Sequence, residues 1–432
     1  MLRAALIAGL SLAPPLAGAG EFFTLEGHGG PVKGIAAGPQ GEILTASFDN
    51  SVGLWRGGEP LWLEGHAAAV NTVAFVDSNR AVSAGDDFAL FLWNLETGQG
   101  QRLGSHKGKV MSLAVSPGGQ TIASASWDGS IGIWDLEDPG VEARFFTGHD
   151  AGVNAVAFSE DGETLYSGSA DGTLRLWRVA DGTALGQLAN NGFGINTLVL
   201  NETAGWIAYG GVDGATKALS LSDGSVIADL TLDRRPILGM APGPGKRLLA
   251  VGDGEGYISL IDTETWRFTL DFRATLRGPV WALAFSPDGG NVHAGGLDDA
   301  MFSWPVEGAG ERPQMVEGER SFLASGDDVS NGERQFQRKC SICHTLGPGE
   351  NRRAGPSLHA LFGRRAGTVP GYSYSETLED SEIVWGPETI DALFDLGPEV
   401  YVAGTKMPMQ RIVKAQDRAD LVDFLREATR GE

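Results

Sequence analysis

Seven short apolar runs recur along the first three quarters of this chain at an almost constant interval. The first four end in tryptophan: SVGLW at Trp55, ALFLW at Trp93, SIGIW at Trp134 and TLRLW at Trp177. ATKAL at Leu219, YISLI at Ile261 and AMFSW at Trp304 take the same place, so successive ends fall 38, 41, 43, 42, 42 and 43 residues apart. Six residues before each end stands an acid: Asp49, Asp87, Asp128, Asp171, Asp213, Glu255 and Asp298. The first four units also carry an upstream histidine, His28, His66, His106 and His149. A period of about 40 residues, built from alternating strands and tight turns, predicts four-stranded units stacked into a ring. Glycine, 63 of 432 residues, is about twice as frequent as the usual 7%, and turns of this kind consume it.

These residues resemble the WD-repeat propeller family over roughly residues 21–310. The resemblance implies seven blades and a buried polar relay in each complete blade. The loop histidine bonds the turn aspartate, a small hydroxyl residue continues the chain, and the indole N–H ends it. Ser47, Ser126 and Ser169 are assigned as that hydroxyl in blades one, three and four, while Gly85 leaves blade two without one. Blades five to seven lack the histidine, and five and six the tryptophan. Phe22-Phe23-Thr24-Leu25 matches the outer strand of a blade and is expected to complete the seventh, hiding the ring's edges. The four histidines lie on separate blades and have structural partners, so they are not read as a metal site. His293 lies outside the pattern and is weighed as a cofactor ligand against a local hydrogen-bonding role.

Residues 1–19, MLRAALIAGLSLAPPLAGA, have one basic residue, a short apolar run and a small-residue end. This is the layout of a secretory leader removed after Ala19. The apolar run is short of the roughly 20 residues a spanning helix needs, and no later stretch is long enough, so no transmembrane segment is expected. Net charge is −22, which excludes nucleic acid as a partner because phosphate would be repelled. The expected domains are the leader at 1–19, a propeller at 20–310, a glycine-rich acidic linker at 311–325 and a second domain at 326–432.

The chemistry lies in that second domain. Cys340-Ser341-Ile342-Cys343-His344 is a C-x-x-C-H motif, read as covalent attachment of a c-type haem. Thiols one helical turn apart reach both vinyl groups of one porphyrin, and the adjacent imidazole meets the iron. A redox dithiol has no use for that histidine, and a zinc site needs two more ligands where only His359 is near. For the sixth iron position, the methionines beyond residue 320 are Met407 and Met409.

Residues 326–432 resemble a mitochondrial-type class I cytochrome c. The chain is thus expected to be multidomain, an all-β seven-bladed propeller followed by an all-α class I cytochrome c domain. The resemblance implies Met407, in Gly404-Thr405-Lys406-Met407-Pro408, as the second axial ligand beside His344. It implies packing of Gly332 and Phe336 on Leu421 and Phe424, and a bond from His344 to the Pro356 carbonyl. Arg364, Tyr374 and Trp385 are implied as propionate partners, and His359 as a non-ligand. Leu393-Phe394 and Ala403 depart from the family near the distal side.

A His/Met iron has no open position, and methionine ligation raises its potential. It passes single electrons. The propeller segment 21–324 holds 19 basic and 38 acidic residues, against 13 and 17 in 325–432. Lys339, Arg353, Lys406 and Arg411 are placed by the resemblance around the haem edge, which is expected to be locally positive and suited to an acidic redox partner. One reading is a periplasmic electron carrier whose propeller docks an oxidase, reductase or dehydrogenase. The other is a propeller enzyme with a further cofactor, and a redox sensor or assembly factor stands behind both.

Overall fold

The computed structural model describes residues 20–430 apart from positions 58, 235, 310–329, 342, 349–352, 354, 373, 375, 403–404, 406 and 408–410. The leader at 1–19 and the linker at 311–325 lie outside the described residues.

The tryptophan runs are the third strands of seven four-stranded antiparallel sheets. In blade one, Val32–Ala37, Ile43–Ser47, Ser51–Trp55 and Leu61–Glu64 pair in that order, and five further sheets repeat this order. The seventh takes three strands from the end of the ring, Val280–Phe285, Asn291–Gly296 and Ala300–Pro305, and its fourth from the start, Phe23–Glu26. Phe23 faces Ser303, and Glu26 faces Ala300. The N-terminal segment therefore closes the ring, as expected. Apolar side chains of neighbouring sheets interleave, as where Leu63, Val70 and Trp93 share one core. Each innermost strand carries a register shift one residue from its start, for example between Val32 and Gly34 and between Val153 and Ala155. At three of these bulges an asparagine amide donates to the backbone of the next blade: Asn71 to Val110 O, Asn154 to Ile195 O and Asn196 to Ile237 O. Such bonds lock neighbouring sheets at the inner rim.

The relay exists, but its hydroxyls lie two residues earlier than expected. His28, His66, His106 and His149 present Nδ1 to Asp49, Asp87, Asp128 and Asp171 at 2.8–3.1 Å. A carboxylate only accepts, so Nδ1 carries the proton. Nε2 then accepts from Thr45, Ser83, Ser124 and Ser167, each at 2.7 Å. Those oxygens in turn accept the indole N–H of Trp55, Trp93, Trp134 and Trp177 at 2.7–2.8 Å. Ser47, Ser126 and Ser169 instead tie the turn, donating to backbone carbonyls and accepting from the N–H of the relay aspartate. Blade two is complete through Ser83.

The later blades substitute other chemistry. In blade five Asn191 stands where the histidine would and donates to Asp213, while the Tyr209 hydroxyl donates to Asn191 Oδ1 at 3.1 Å. Arg234 pairs with Asp253 and Asp271 in blade six, and Arg277 with Asp298 in blade seven.

The C-terminal domain is built from α1 (Asn331–Lys339), α2 (Glu376–Glu379), α3 (Pro387–Leu396), α4 (Pro398–Tyr401) and α5 (Ala415–Ala428). Ser330 caps α1 by accepting the Glu333 N–H at 3.1 Å. Helices occupy less than half of its described residues, and the Arg365–Val384 bridge lies among its loops. It is therefore a helix-and-loop domain rather than the all-α unit expected. α1 crosses α5 at Gly332, where a Cβ would fall on the Asp420 carbonyl. Phe336 and Phe424 meet there at 5.6 Å between ring centroids, as expected of the pair.

Candidate haem site

Cys340 caps the C-terminus of α1, and its N–H bonds Phe336 O at 2.8 Å. The chain then turns tightly, with the N–H groups of Cys343 and His344 both donating to Cys340 O. This one-turn geometry holds the two thiols and the imidazole on a single short segment. Both cysteines are free. Burial pushes the Cys340 thiol up to about 12 and raises that of Cys343 as well. A working dithiol needs a lowered thiol pKa, so these surroundings disfavour the redox-dithiol alternative.

His344 donates Nδ1–H to Pro356 O at 2.8 Å. That bond fixes the tautomer and leaves Nε2 as a lone pair. Burial, chiefly, holds the imidazole below its ordinary pKa, in the neutral form that binds metal. A Cβ on Gly355 would run into the His344 ring, so only glycine lets the Pro356 loop pass so close. Met407 packs against the core of Phe336, Cys340, Leu361, Phe394 and Ile412. Two thiols, a neutral imidazole with a free nitrogen and a thioether on one apolar core fit a covalently attached haem.

The residues expected to meet the propionates also make contacts within the protein. Arg364 donates to His359 O at 2.5 Å and to Ser357 O at 2.9 Å, bracing the loop that carries Pro356. The Tyr374 hydroxyl accepts the Val369 N–H at 3.3 Å and the ring stacks edge-on to Tyr372. Trp385 packs against the same core, and its backbone N–H bonds Arg364 O. Of the residues placed at the haem edge, Lys339 ends α1, Arg411 donates to Asp395 O, and Arg353 lies 3.6 Å from Asp299 of the last blade. Lys406, Met409 and Ala403 lie outside the described residues.

His293 is buried and bonds Ser303 Oγ through Nδ1 at 3.0 Å, the local role weighed against ligation. Among the described residues no three His, Cys, Asp or Glu side chains converge as a metal site, and no helix is long and apolar enough to cross a membrane. The sequence reading missed Thr45, Ser83, Ser124, Ser167, Asn191 and Tyr209. A hydroxyl residue ten positions before each of Trp55, Trp93, Trp134 and Trp177 was the available signal.

The cytochrome c family model matches residues 329–429. A WD domain, G-beta repeat model matches 21–56, 59–94, 99–135, 140–178 and 270–304. Cytochrome c of Sesamum indicum is 45% identical over 104 residues, 24% of this chain and 91% of that protein. Those of Ginkgo biloba and Nigella damascena are 42% and 41% identical over 105 and 108 residues, again 24% of this chain and covering 92% and 95% of their lengths. That family carries covalently bound haem c and transfers electrons. Through its C-terminal domain the chain belongs to the cytochrome c family, joined here to a seven-bladed propeller of WD repeats.

Proposed function

We propose that this protein is an exported, periplasmic single-electron carrier. Its haem is attached through Cys340 and Cys343, with His344 and Met407 as the axial ligands. The observation that carries the reading is the His344–Pro356 bond, which orients a neutral imidazole with its second nitrogen free beside the buried Cys340 and the half-buried Cys343. The haem supplies reversible one-electron chemistry when bound. The chain's own residues set its surroundings. Pro356 raises the basicity of His344, Arg364 holds the Pro356 loop in place, and Phe336, Phe394 and Leu425 belong to the apolar core against which a haem would pack. Arg364, Tyr374 and Trp385 lie on the segments that would meet the propionates.

The propeller serves as a docking platform for an oxidase, reductase or dehydrogenase, and its acidic charge leaves the haem edge as the comparatively basic face. Full-length protein recovered from the periplasm tests this. A pyridine haemochrome assay should give one haem per chain, and a redox titration should give a single one-electron wave. A second haem, a further chromophore or a multi-electron wave would favour the propeller enzyme instead.

A further inference from the structure

Each blade's innermost strand skips one residue in its pairing, and the seven skipped residues ring the axis of the propeller. The residue before each is buried, from Val32 round to Val280, at no more than 4% exposed. The skipped side chains are half-buried instead, Asn71 alone being buried, so they line the open channel. Three are the asparagines that lock neighbouring blades, and the other four are Lys33, Met111, Leu238 and Trp281. Neighbours in this ring touch. Lys33 Nζ lies 4.7 Å from the centre of the Trp281 ring, and Asn71 Nδ2 lies 3.9 Å from Met111 Sδ. Phe48, from the turn after the second strand of blade one, stacks on Trp281 with centroids 5.6 Å apart. The ring therefore sits at the channel mouth that carries those turns.

Among the described residues Lys33 Nζ makes no hydrogen bond or ion pair, only the contact with Trp281. Asp86, the acid whose charge reaches it, is committed elsewhere: it accepts from Asn71 Nδ2 at 2.7 Å and pairs with Lys109. Burial holds the Lys33 ammonium down to about 8, as expected of a cation taken from water without an anion beside it. We propose that this channel mouth binds a small monocarboxylic acid with an apolar body, its carboxylate on Lys33 Nζ and its body against Trp281 and Leu238. The carboxylate accepts a charge-assisted bond from the ammonium and leaves the cation–π contact in place. The indole and the leucine take the body out of water. A single charge fits, because the 38 acidic against 19 basic residues of segment 21–324 repel anything more strongly negative. The site does not depend on the haem reading.

Isothermal titration calorimetry on the haem-loaded, full-length protein tests this, with phenylacetate and octanoate as probes. At least one of them should bind saturably at one site per chain. The alcohol of the same skeleton, which lacks the charge, and acetate, which lacks the body, should each bind at least about tenfold more weakly. Lys33→Met should lose the same factor while Lys33→Arg keeps most of the affinity, with the propeller's urea midpoint unchanged in both. No saturable binding of either acid, or equal affinity in Lys33→Met, would overturn the site. Acetate binding as tightly as the longer acid would overturn its apolar half and leave an adventitious anion only.

Discussion

Replacing Ser124 by alanine should destabilise the propeller more than replacing Ser126, although the two lie on the same strand of blade three. The Ser124 hydroxyl satisfies two buried partners, donating to His106 Nε2 and accepting from Trp134 Nε1, both at 2.7 Å. Its loss leaves an orphan lone pair and an orphan indole N–H, each costing about 1–3 kcal/mol, so about 2–6 kcal/mol together. Water cannot fill the gap. A Cβ on Gly132 would already stand 2.8 Å from both Ser124 Oγ and Trp134 Nε1, so the site lacks the room a bridging water needs. Ser126 Oγ donates to Gly108 O and accepts from the Asp128 N–H, each at 3.1 Å. Both bonds are only part-buried, so their backbone partners can turn to water and losing the two should cost about 1–2 kcal/mol. Urea unfolding followed by tryptophan fluorescence measures both, with haem absorbance reporting the other domain separately because two domains need not unfold together. Trp134→Phe should cost less in the Ser124→Ala background than in wild type, which is the coupling expected of shared partners. Ser126→Ala costing as much as Ser124→Ala, or strict additivity with Trp134→Phe, would refute the relay as described.

Gly355→Ala should disrupt the site directly, because the added methyl collides with the His344 ring. Haem per chain should fall and the Soret band should shift, while the propeller's urea midpoint stays unchanged. Acid should begin to weaken the propeller in the histidine range. Burial pushes His293 down to about 4 and lowers His106 and His149 as well. The unfolded chain then takes these protons first, and stability is lost as pH falls from the ordinary histidine value near 6.5. For His293 the loss runs to about pH 4 and amounts to about 3 kcal/mol. His293→Gln should flatten that part of a pH series of unfolding midpoints. Electron exchange with an acidic partner protein should slow steeply as salt is raised through the range where the screening length drops below about 10 Å. A rate insensitive to ionic strength would remove the basic haem face from the docking reaction.

Period and chemistry were legible in the sequence to different depths. The tryptophan runs marked the third strand of each blade, and the segment after the leader was recognisable as the missing outer strand, because strand pattern survives loss of the relay. The hydroxyl assignment slipped by two residues. Ser124 and Ser126 lie on the same side of their strand, and only the register, which sets Ser124 opposite Gly132 and within reach of Trp134, separates them. Blade five shows the other limit. Asn191 and Tyr209 rebuild the relay with an amide and a phenol, and no search for histidine and serine would find them. The Cys340–His344 motif was visible as a spacing, and the structure sets Cys340, Cys343 and His344 on one tight turn after α1. The commitment of Arg364 to Ser357 and His359 carbonyls depends on how the loop folds back, which spacing does not encode.

The near-infrared absorption of the oxidised, full-length protein tests the central claim most directly. A weak sulfur-to-iron band should be present in wild type and absent in Met407→Ala, with the haem still covalently attached through Cys340 and Cys343. Its absence from wild type, or its survival in Met407→Ala, would contradict a centre ligated by His344 and Met407.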